Sequence, residues 1–262
     1  MESSFRSLIE YIQQQSSFRC QYYKEKPLSR RLRVRMRALH LERYEQYLQY
    51  LINNPAEMDI LLETLTINLS YFFRNPETFD YIRDTLFSEF KKQDEQLVVW
   101  SAGCAHGEEP YTLAITAAQS GTLEQMTVYG TDIDRKALSM AEQGLYDTFA
   151  FEYTPEHILN VYFKNENGTY RIVPKIRDHV RFFNVDLFDK PPFGKCDLIM
   201  CRNVLIYLDR AAQSTILRNF YEQLRVDGYL IIGKVELLIG IPEVKLFEVV
   251  NRAEHVYKKK KA

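Results

Sequence analysis

Long apolar runs are missing from this chain of 262 residues. No stretch reaches the roughly 18 apolar residues that a membrane-spanning helix requires. The start MESSFRSLIE also lacks the basic-then-apolar order of a signal peptide. The sequence therefore predicts a cytoplasmic protein that does not insert directly into a membrane.

Cysteine is scarce, with four residues, and its spacing is uninformative: Cys20, Cys104, Cys196 and Cys201 form no CxxC pair and no zinc-binding pattern. Small thiols without such a pattern usually pack as apolar groups. We therefore expect four reduced cysteines and no metal site.

The glycine-rich fingerprint GxGxxG is also absent, although residues 97 to 114, LVVWSAGCAHGEEPYTLA, read as strand, tight turn and helix. Such a βα unit commonly opens a nucleotide-binding domain. Here Glu108 and Glu109 stand at the helix entrance, just before Pro110, a residue favoured at the first helical position. The turn therefore presents negative charge where a dinucleotide domain presents none.

Two carboxylates at this entrance would repel a pyrophosphate but favour a ligand with a cationic amino group and no phosphate. S-adenosylmethionine meets that description, and we expect its ammonium group to lie near Glu108. The alternative is that the glutamates only complement the helix dipole. We prefer that alternative for Glu109.

Basic residues are concentrated near the N-terminus. Residues 19 to 43 hold nine Arg and Lys against two Glu, a net of +7, so the remainder of the chain carries −8 of the overall −1. This local positive charge predicts an acidic partner. Residues 4 to about 65 have a helical pattern throughout, which predicts a small helical domain.

The segment LSRRLRVRMRAL concentrates this charge on one helix face. Leu28, Leu32, Met36 and Leu39 fall within about 80° on a wheel of about 100° per residue. The basic residues of the helix are Arg30, Arg33 and Arg37 on the opposite face, Arg31 beside them, and Arg35 on the apolar face, where it snorkels or pairs with a carboxylate. A solvated charged face is the alternative. Nucleic acid is a third possibility, but no stacking aromatics or known binding motif accompany the stripe.

A joint follows in TINLSYFFRNPETF, where polar and aromatic residues mix without a period before Pro76 starts a helix. Ligand clefts favour such joints. Asn68 and Ser70 could hydrogen-bond a ligand and Arg74 could face its reacting end. Alternatively, these residues cap and tether the linker.

Further strands alternate with helices after the central stretch, which predicts a doubly wound sheet with its site at the carboxyl ends of the strands. MTVYGTDID predicts a strand that ends on Asp132, which is placed to accept ribose hydroxyls. HVRFFNVDLF predicts a strand ending at Asp186 and Leu187, which are suited to contact the adenine. CDLIMCRNVLIYL predicts a strand ending at Asn203. Residues 162 to 173, YFKNENGTYRIV, predict an inserted hairpin turning at Asn167-Gly168.

Taken together, the chain resembles the CheR family of chemotaxis receptor methyltransferases over essentially its full length. The motifs that carry the resemblance are YKEKPLSRRLRVRMRAL, TINLSYFFR, SAGCAHGEEPYTLA, GTDID, VDLF, CRNVLIYL and GKVELL. The resemblance implies an α/β fold: a Rossmann-like, doubly wound S-adenosylmethionine-dependent methyltransferase domain with a small N-terminal all-α domain and an inserted three-stranded β-subdomain. We expect the all-α domain at 1–66, the joint at 67–76 and the methyltransferase domain at 77–262, with the β-subdomain at about 160–181.

The resemblance also implies the site. The cofactor contacts carried over are Asn68, Ser70, Arg74, Glu108, Asp132, Asp186, Leu187, Asn203 and Val204, with Arg74 and Tyr207 as the catalytic residues nearest the methyl group. Arg30, Arg31, Arg33 and Arg37 would bind the substrate.

Three positions depart from the family pattern. Ser70 replaces the usual threonine, His106 replaces a small hydroxyl residue, and Gly233-Lys234-Val235-Glu236 replaces GHSE. The last change puts in doubt any contact made by the usual histidine and serine.

The implied activity is methylation of glutamate side chains on chemoreceptors, with S-adenosylhomocysteine as the second product. The expected partners are the cytoplasmic methylation helices of receptors, which would recruit a monomeric enzyme to receptor arrays. Because the link KNENGTY, residues 164 to 170, is short, we expect no tether to a receptor's C-terminal pentapeptide.

Two rival functions remain. One is a non-catalytic S-adenosylmethionine-binding module, against which the presence of both Arg74 and Tyr207 argues. The other is a nucleic-acid methyltransferase, against which the CRNVLIYL motif argues, since amino-methylating enzymes carry a [DNS]PP[YFW] motif there.

Overall fold

A computed structural model describes residues 3–66, 68–92 and 95–261. Its residues form two compact units. The helical unit comprises the described residues up to position 66 together with Tyr207–Gln213, and the α/β unit comprises Asn68–Ile206 and the described residues from Ser214 onward. Position 67, the first residue of the predicted joint, lies outside the described residues, as do positions 1, 2, 93, 94 and 262 of the predicted domains.

The helical unit contains four helices and a short 3-10 turn at Cys20–Tyr22. The helices are α1 (Ser3–Gln15), α2 (Glu25–Ala38), α3 (Tyr44–Asn53) and α4 (Glu57–Leu65). Helix α1 packs against α3 and α2 packs against α4. The fully buried side chains Leu8, Ile12, Leu32, Tyr47, Leu51 and Leu61 form the centre, because each helix presents one apolar stripe to its neighbours.

Helix α2 buries the face that its periodicity predicts. Leu28, Leu32 and Met36 are buried, while Arg30 and Arg37 are exposed. Arg35 pairs with the buried Glu57, at 2.5 Å from Nε to Oε1 and 2.6 Å from Nη2 to Oε2. The prediction that Arg35 pairs with a carboxylate is confirmed.

Residues 207 to 213 join the helical unit through backbone contacts that the sequence analysis did not predict. The Lys24 N–H donates to the Tyr207 carbonyl at 2.9 Å and the Asp209 N–H to the Tyr22 carbonyl at 2.8 Å. Tyr23 and Leu208 form the antiparallel bridge between them. Side-chain periodicity carries no information about such backbone pairing.

The α/β unit is built on a seven-stranded sheet. Its strands are β1 (Leu97–Ala102), β2 (Met126–Asp132), β6 (Val180–Asn184), β7 (Cys196–Cys201), β8 (Leu224–Ile232), β9 (Phe247–Asn251) and β10 (Val256–Lys259), in the order β6-β2-β1-β7-β8-β10-β9. Its helices are α5 (Pro76–Tyr81), α6 (Phe87–Phe90), α7 (Glu108–Ser120), α8 (Arg135–Gln143), α9 (Glu156–Tyr162), α10 (Pro174–Arg177) and, beginning in the segment 207 to 213, α11 (Arg210–Gln223).

Strand order reverses at β1, which pairs in parallel with β2 on one side and β7 on the other. Strands β6 and β8 extend this parallel sheet, and β10 pairs antiparallel with β8 on one side and with β9 on the other. The loops that follow β1 and β7 therefore meet at the carboxyl edge, the position where doubly wound sheets bind ligands. The predicted α/β class and doubly wound sheet are confirmed.

A second sheet of three strands, ordered β3-β5-β4, contains the predicted hairpin. Strands β4 (Phe163–Glu166) and β5 (Thr169–Ile172) pair up to Glu166 and Thr169 around Asn167-Gly168. The third strand, β3 (Leu145–Tyr146), lies outside the predicted range of 160 to 181. Two residues are too few for alternation of apolar and polar side chains to be read.

Strand ends differ by about two residues from the sequence prediction. Strand β6 ends at Asn184 and β7 at Cys201, so Asp186, Leu187 and Asn203 lie in loops beyond their strands. Asn203 adopts a φ of 62°, which is incompatible with an extended strand. Pro76 opens α5 as predicted.

Among the described residues, no helix combines the length and apolar character needed to cross a membrane. All four cysteines are free and buried, and burial raises the pKa of Cys20 and Cys196 to about 12. The thiols thus pack as apolar groups, as expected. Within the described ranges, no cluster of three or more His, Cys, Asp or Glu could hold a metal ion.

Candidate active site at the carboxyl edge of the sheet

Two glycines shape the turn between β1 and α7. Gly103 and Gly107 have φ values of 80° and 90°, in the region that favours glycine. A Cβ added to Gly103 would lie 2.6 Å from Cγ2 of Val204, in the loop after β7. The turn can therefore approach that loop only through bare backbone.

Glu108 begins α7 with a carboxylate that is sealed from water but incompletely paired. The residue is 3% exposed, and its Oε2 has no hydrogen-bond partner among the described residues. Desolvation raises the pKa of Glu108 to about 7, although a hydrogen bond with Ser70 acts in the opposite direction. A buried charge without a partner is costly, so this carboxylate is suited to receive a cation.

His106 lies beside this carboxylate, with its Nδ1 at 3.9 Å from Oε1 of Glu108. Burial lowers the pKa of His106, so its imidazole is neutral at pH 7 and does not neutralise the glutamate. Its backbone carbonyl accepts the Tyr146 hydroxyl at 2.8 Å. The departure from the family pattern thus leaves the Glu108 carboxylate available.

Glu109 has a structural role instead. Its Oε1 accepts the Ser101 hydroxyl at 2.8 Å, and its Oε2 pairs with Nε of the buried Arg202 at 2.8 Å. Arg202 also donates from Nη1 to the Arg74 carbonyl at 2.6 Å and to Asn75 Oδ1 at 3.3 Å. Arg202 is not among the residues predicted from the sequence, although its charged side chain directly follows the apolar run CDLIMC.

Asp132 ends β2 with its carboxylate already engaged by backbone. Oδ2 accepts the Ala105 N–H at 2.9 Å and Oδ1 the Asp134 N–H at 3.0 Å. Burial is the main cause that raises the pKa of Asp132. A carboxylate offers about four acceptor positions, so capacity remains for two ribose hydroxyls.

Asn68 lies against the loop after β2, where its Nδ2 donates to Oδ2 of Asp134 at 2.6 Å. Asp134 also caps α8 by accepting the N–H groups of Lys136 and Ala137. Asp134 is not among the residues predicted from the sequence, although an aspartate in front of a helical pattern is a typical N-cap.

Arg74 is half-buried, and its guanidinium Nη1 lies 3.4 Å from the Leu69 carbonyl that it donates to. Its neighbour Asn75 has a φ of 64°. Asn68 thus contacts the loop after β2, and Ser70 contacts Glu108 at the start of α7. The Arg74 carbonyl contacts Arg202, which follows β7. The segment 68–75 is held against the carboxyl edge of the sheet.

The loops after β6 and β7 contain the other predicted contacts. Asp186 Oδ1 accepts the Phe188 N–H at 3.1 Å, and the buried Leu187 presents its carbonyl to Asn219. Asn203 is half-buried, and Val204 packs at Gly103 as described. These residues share the edge of the sheet with Glu108 and Asp132.

Glu236 organises the loop after β7 and was missed as a functional position. Its carboxylate accepts the N–H groups of Val204, Leu205 and Gly233, at 3.0, 2.7 and 2.6 Å. Burial raises its pKa. Glu236 thus retains the acid of the GHSE pattern as a backbone clamp.

Lys234, the departure from that pattern, is committed elsewhere. Its ammonium pairs with Glu254 at 2.9 Å and with Glu77 at 3.5 Å. The lysine therefore links α5 to the β9–β10 turn through ion pairs. A histidine here would be mostly uncharged at neutral pH and would not form them.

The remaining predicted residues lie in the helical unit. Tyr207 ends the 3-10 turn Leu205–Tyr207 and is half-buried. Arg30, Arg33 and Arg37 are exposed on α2, with Arg33 Nε at 3.3 Å from the Tyr44 hydroxyl, whereas Arg31 has a buried Nε without a partner in the described residues. A cleft of about 500 Å³ is lined by Arg33, Met36, Arg37, Leu41, Glu42, Arg43, Tyr44 and Glu45.

The carboxyl edge thus offers acceptors and few positive charges. Glu108 suits an ammonium group, Asp132 suits vicinal hydroxyls, and the glycine turn admits a ligand backbone closely. A phosphate-rich ligand would meet two buried carboxylates. This arrangement fits S-adenosylmethionine and does not fit a dinucleotide.

Comparison with known families gives two matches that together span most of the chain. The description "CheR methyltransferase, SAM binding domain" matches residues 68–255, and "CheR methyltransferase, all-alpha domain" matches residues 3–66. The boundary between the matches coincides with the start of the α/β unit at Asn68.

Individual relatives agree. A chemotaxis protein methyltransferase of Salmonella typhimurium is 32% identical over 90% of this chain and 84% of its own length, and that of Escherichia coli is 31% identical over 90% and 84%. An uncharacterised 104.1 kDa protein of Rhodobacter capsulatus is 31% identical over 84% of this chain, which spans only 24% of that longer protein.

Proposed function

The chain belongs to the CheR methyltransferase family and uses S-adenosylmethionine, and we propose that it methylates specific glutamate side chains of chemoreceptors. The products would be a glutamate methyl ester and S-adenosylhomocysteine. Such methylation adjusts receptor output and so provides adaptation in chemosensory signalling.

One observation supports this proposal most directly. The segment 68–75 contacts Asp134, Glu108 and Arg202, which follow three different strands at the carboxyl edge. These contacts hold the backbone of the segment at the carboxyl edge, and we propose that the Arg74 guanidinium meets the acceptor there. A cationic side chain at that point fits an acidic acceptor better than an amine or a hydroxyl.

Cofactor binding would use residues of the α/β unit. Glu108 would accept the ammonium group and Asp132 the ribose hydroxyls, while Asp186 and Leu187 would contact the adenine. Asn68, Ser70, Asn203 and Val204 complete the set. When bound, S-adenosylmethionine supplies a methyl group on a sulfonium, which is electrophilic without further activation.

The acceptor glutamate needs orientation more than activation. Its unperturbed pKa is about 4.3, so the side chain is already an anion at neutral pH and requires no general base. Arg74 would hold one carboxylate oxygen and leave the other to attack, which gains from proximity in a site that excludes water. Tyr207 would help to orient the acceptor, a role that is proposed from the sequence resemblance alone.

Recognition of the protein substrate would use the helical unit. Arg30, Arg33 and Arg37 present guanidinium groups along one face of α2, with Arg31 beside them, and an acidic receptor helix is their natural complement. We propose a monomeric cytoplasmic enzyme recruited to receptor arrays by this contact, without a pentapeptide tether.

Mass spectrometry of a co-encoded chemoreceptor tests the proposal. The purified cytoplasmic fragment of the receptor, incubated with enzyme and S-adenosylmethionine, should gain the mass of one methylene on identified glutamates. Replacing those glutamates with glutamine should abolish the gain. Modification of lysine, arginine or a nucleic-acid contaminant in place of glutamate would refute the proposal.

A further inference from the structure

Four large side chains lie on or near the predicted joint of residues 67 to 76, and three of them are exposed to solvent. Leu69, Phe149 and Tyr153 are 53%, 59% and 42% exposed, and Tyr71 is half-buried. We name these four residues the aromatic patch. Clusters of exposed apolar side chains on a soluble protein usually mark a binding surface.

The patch is a built feature and not a set of loose side chains. The Phe149 ring lies 5.1 Å from the Tyr71 ring, and the Tyr153 ring meets Tyr71 edge-on at 5.5 Å. The Phe72 N–H donates to the Ala150 carbonyl at 2.9 Å, which joins the two segments through backbone.

Buried neighbours fix the outward direction of these rings. Phe72 stacks on Phe151 with centroids 5.0 Å apart, and both are buried. Asp147 accepts the Phe149 N–H at 3.0 Å and so starts the short turn Thr148–Phe151. With Phe72 and Phe151 in the core, Phe149 is exposed and Tyr71 is half-buried.

Arg74 adjoins the aromatic patch. Its guanidinium donates to the Leu69 carbonyl at 3.4 Å. The hydrogen bond from Tyr153 to Glu152 is the main cause that raises the pKa of Tyr153, and the nearby positive charge of Arg74 lowers it. An exposed aromatic surface therefore adjoins the cation that we assign to the acceptor carboxylate.

We propose that the aromatic patch is the docking surface for the methyl-accepting segment of the protein substrate. This inference rests on the proposed function. The segment is an amphipathic helix in which an apolar side chain lies three or four residues from the target glutamate, because such residues share one helix face. The apolar side chain packs on Tyr71, Phe149 and Tyr153 while the glutamate meets Arg74.

Charge and shape together favour this occupant. Arg74 adds a positive charge beside the patch, which complements an acidic helix, while the exposed Glu152 carboxylate accepts a hydrogen bond from Tyr153. Rigid aromatic side chains supply contact area at low cost in conformational entropy, which is why they often act as anchors. The patch would thus select those glutamates that have an apolar residue three or four positions away. The arginines of α2, in contrast, would attract any acidic receptor helix.

The test measures methyl transfer to the same receptor fragment with Phe149→Ser, Tyr153→Ser and the double variant. Each single variant should raise KM for the receptor by about tenfold with kcat nearly unchanged, as loss of an interface anchor does. Phe149→Leu should recover most of the loss. Affinity for S-adenosylhomocysteine, measured by calorimetry, should stay at the wild-type value and shows that each variant is folded.

Val161→Ser is the matched control, since Val161 is 63% exposed on the nearby α9 and outside the patch. An unchanged KM in the double variant would overturn the docking surface while leaving the proposed function intact. If the wild type forms no glutamate ester on the fragment, both fall. A wild-type dimer in sedimentation that the double variant dissolves would assign the patch to a second copy of this chain and overturn the proposal.

Discussion

The charged residues of the α/β unit and those of the helical unit have opposite surroundings. The carboxylates of Glu108, Asp132 and Glu236 are largely buried, and each binds specific partners or is available to bind one. Arg30 and Arg37 lie on an open helix face. A buried charge interacts strongly with a specific partner at short range, because little water screens it. An exposed charge interacts weakly with any one partner, so several must act together.

This difference predicts separable effects. Changes at the carboxyl edge should act on the cofactor or on the chemical step, and changes on α2 should act on the protein substrate. Each variant below tests whether the α/β unit and the helical unit have these separate functions.

The largest effect is expected from Arg74→Ala. Loss of a group that orients the acceptor should lower kcat by about a hundredfold or more, while affinity for S-adenosylhomocysteine falls much less. Turnover assays and calorimetry on the same preparation measure both. Arg252→Ala, an exposed arginine on the same unit, is the control. Near wild-type turnover in Arg74→Ala would remove Arg74 from the catalytic assignment.

Glu108→Gln should weaken the cofactor next most strongly. A hydrogen bond to a charged group contributes about 1.5–3 kcal/mol, so affinity for S-adenosylhomocysteine should fall by roughly tenfold to a hundredfold. The exposed Glu142→Gln should have no effect. Equal affinities in the wild type and Glu108→Gln would mean that another residue receives the ammonium group.

The same variant should change the pH dependence in a defined direction. The folded ligand-free protein holds the Glu108 proton up to a pKa of about 7, above the ordinary value of 4.5. Its stability should therefore fall as pH rises from about 4.5 to about 7, and this component should be absent in Glu108→Gln. Cofactor affinity should fall in the wild type as pH drops below 7, because the ammonium then meets a neutral acid. Identical pH profiles of unfolding and binding in the two proteins would contradict the assignment.

Reversing the charge of the arginine stripe on α2 with Arg30→Glu, Arg33→Glu and Arg37→Glu should have a moderate effect on receptor binding. KM for the receptor fragment should rise by about tenfold while cofactor affinity stays constant. Wild-type activity should also decline with added salt, since exposed charges are screened beyond about 8 Å at physiological ionic strength. Arg6→Glu, exposed on α1, is the control. Salt-independent activity in both proteins would refute a role for the stripe.

The smallest effect is expected at the β4–β5 hairpin. Peptides can add as a strand to an exposed sheet edge, but the connection here is only the tight turn Asn167-Gly168. Titration with a receptor's C-terminal pentapeptide should give no binding in the micromolar range. A clear micromolar isotherm would show that a third region recognises the receptor.

The sequence predicted those parts of the fold that have a period or a motif. Alternating strands and helices indicated the doubly wound sheet, and the leucines of α2 indicated its buried face. The two-residue strand β3 and the backbone pairing of Tyr23 with Leu208 could not be predicted, because neither leaves a side-chain pattern.

The candidate site divides in the same way. Glu108 and Asp132 follow strand-and-turn patterns and were selected from the sequence. Arg202 and Glu236 join segments far apart in the chain, so their partners are known only from the folded structure. The aromatic patch likewise depends on two segments, 69–71 and 149–153, that only the tertiary fold brings together.

Release of methanol is the most direct test of the central claim, that the transferred methyl group becomes a carboxyl ester. A receptor fragment labelled from S-adenosylmethionine with a tritiated methyl group should lose its label as volatile methanol in mild alkali. In the same incubation time, Arg74→Ala should incorporate only a small fraction of the wild-type label. Label that resists alkali, as an N-methyl group would, contradicts the account.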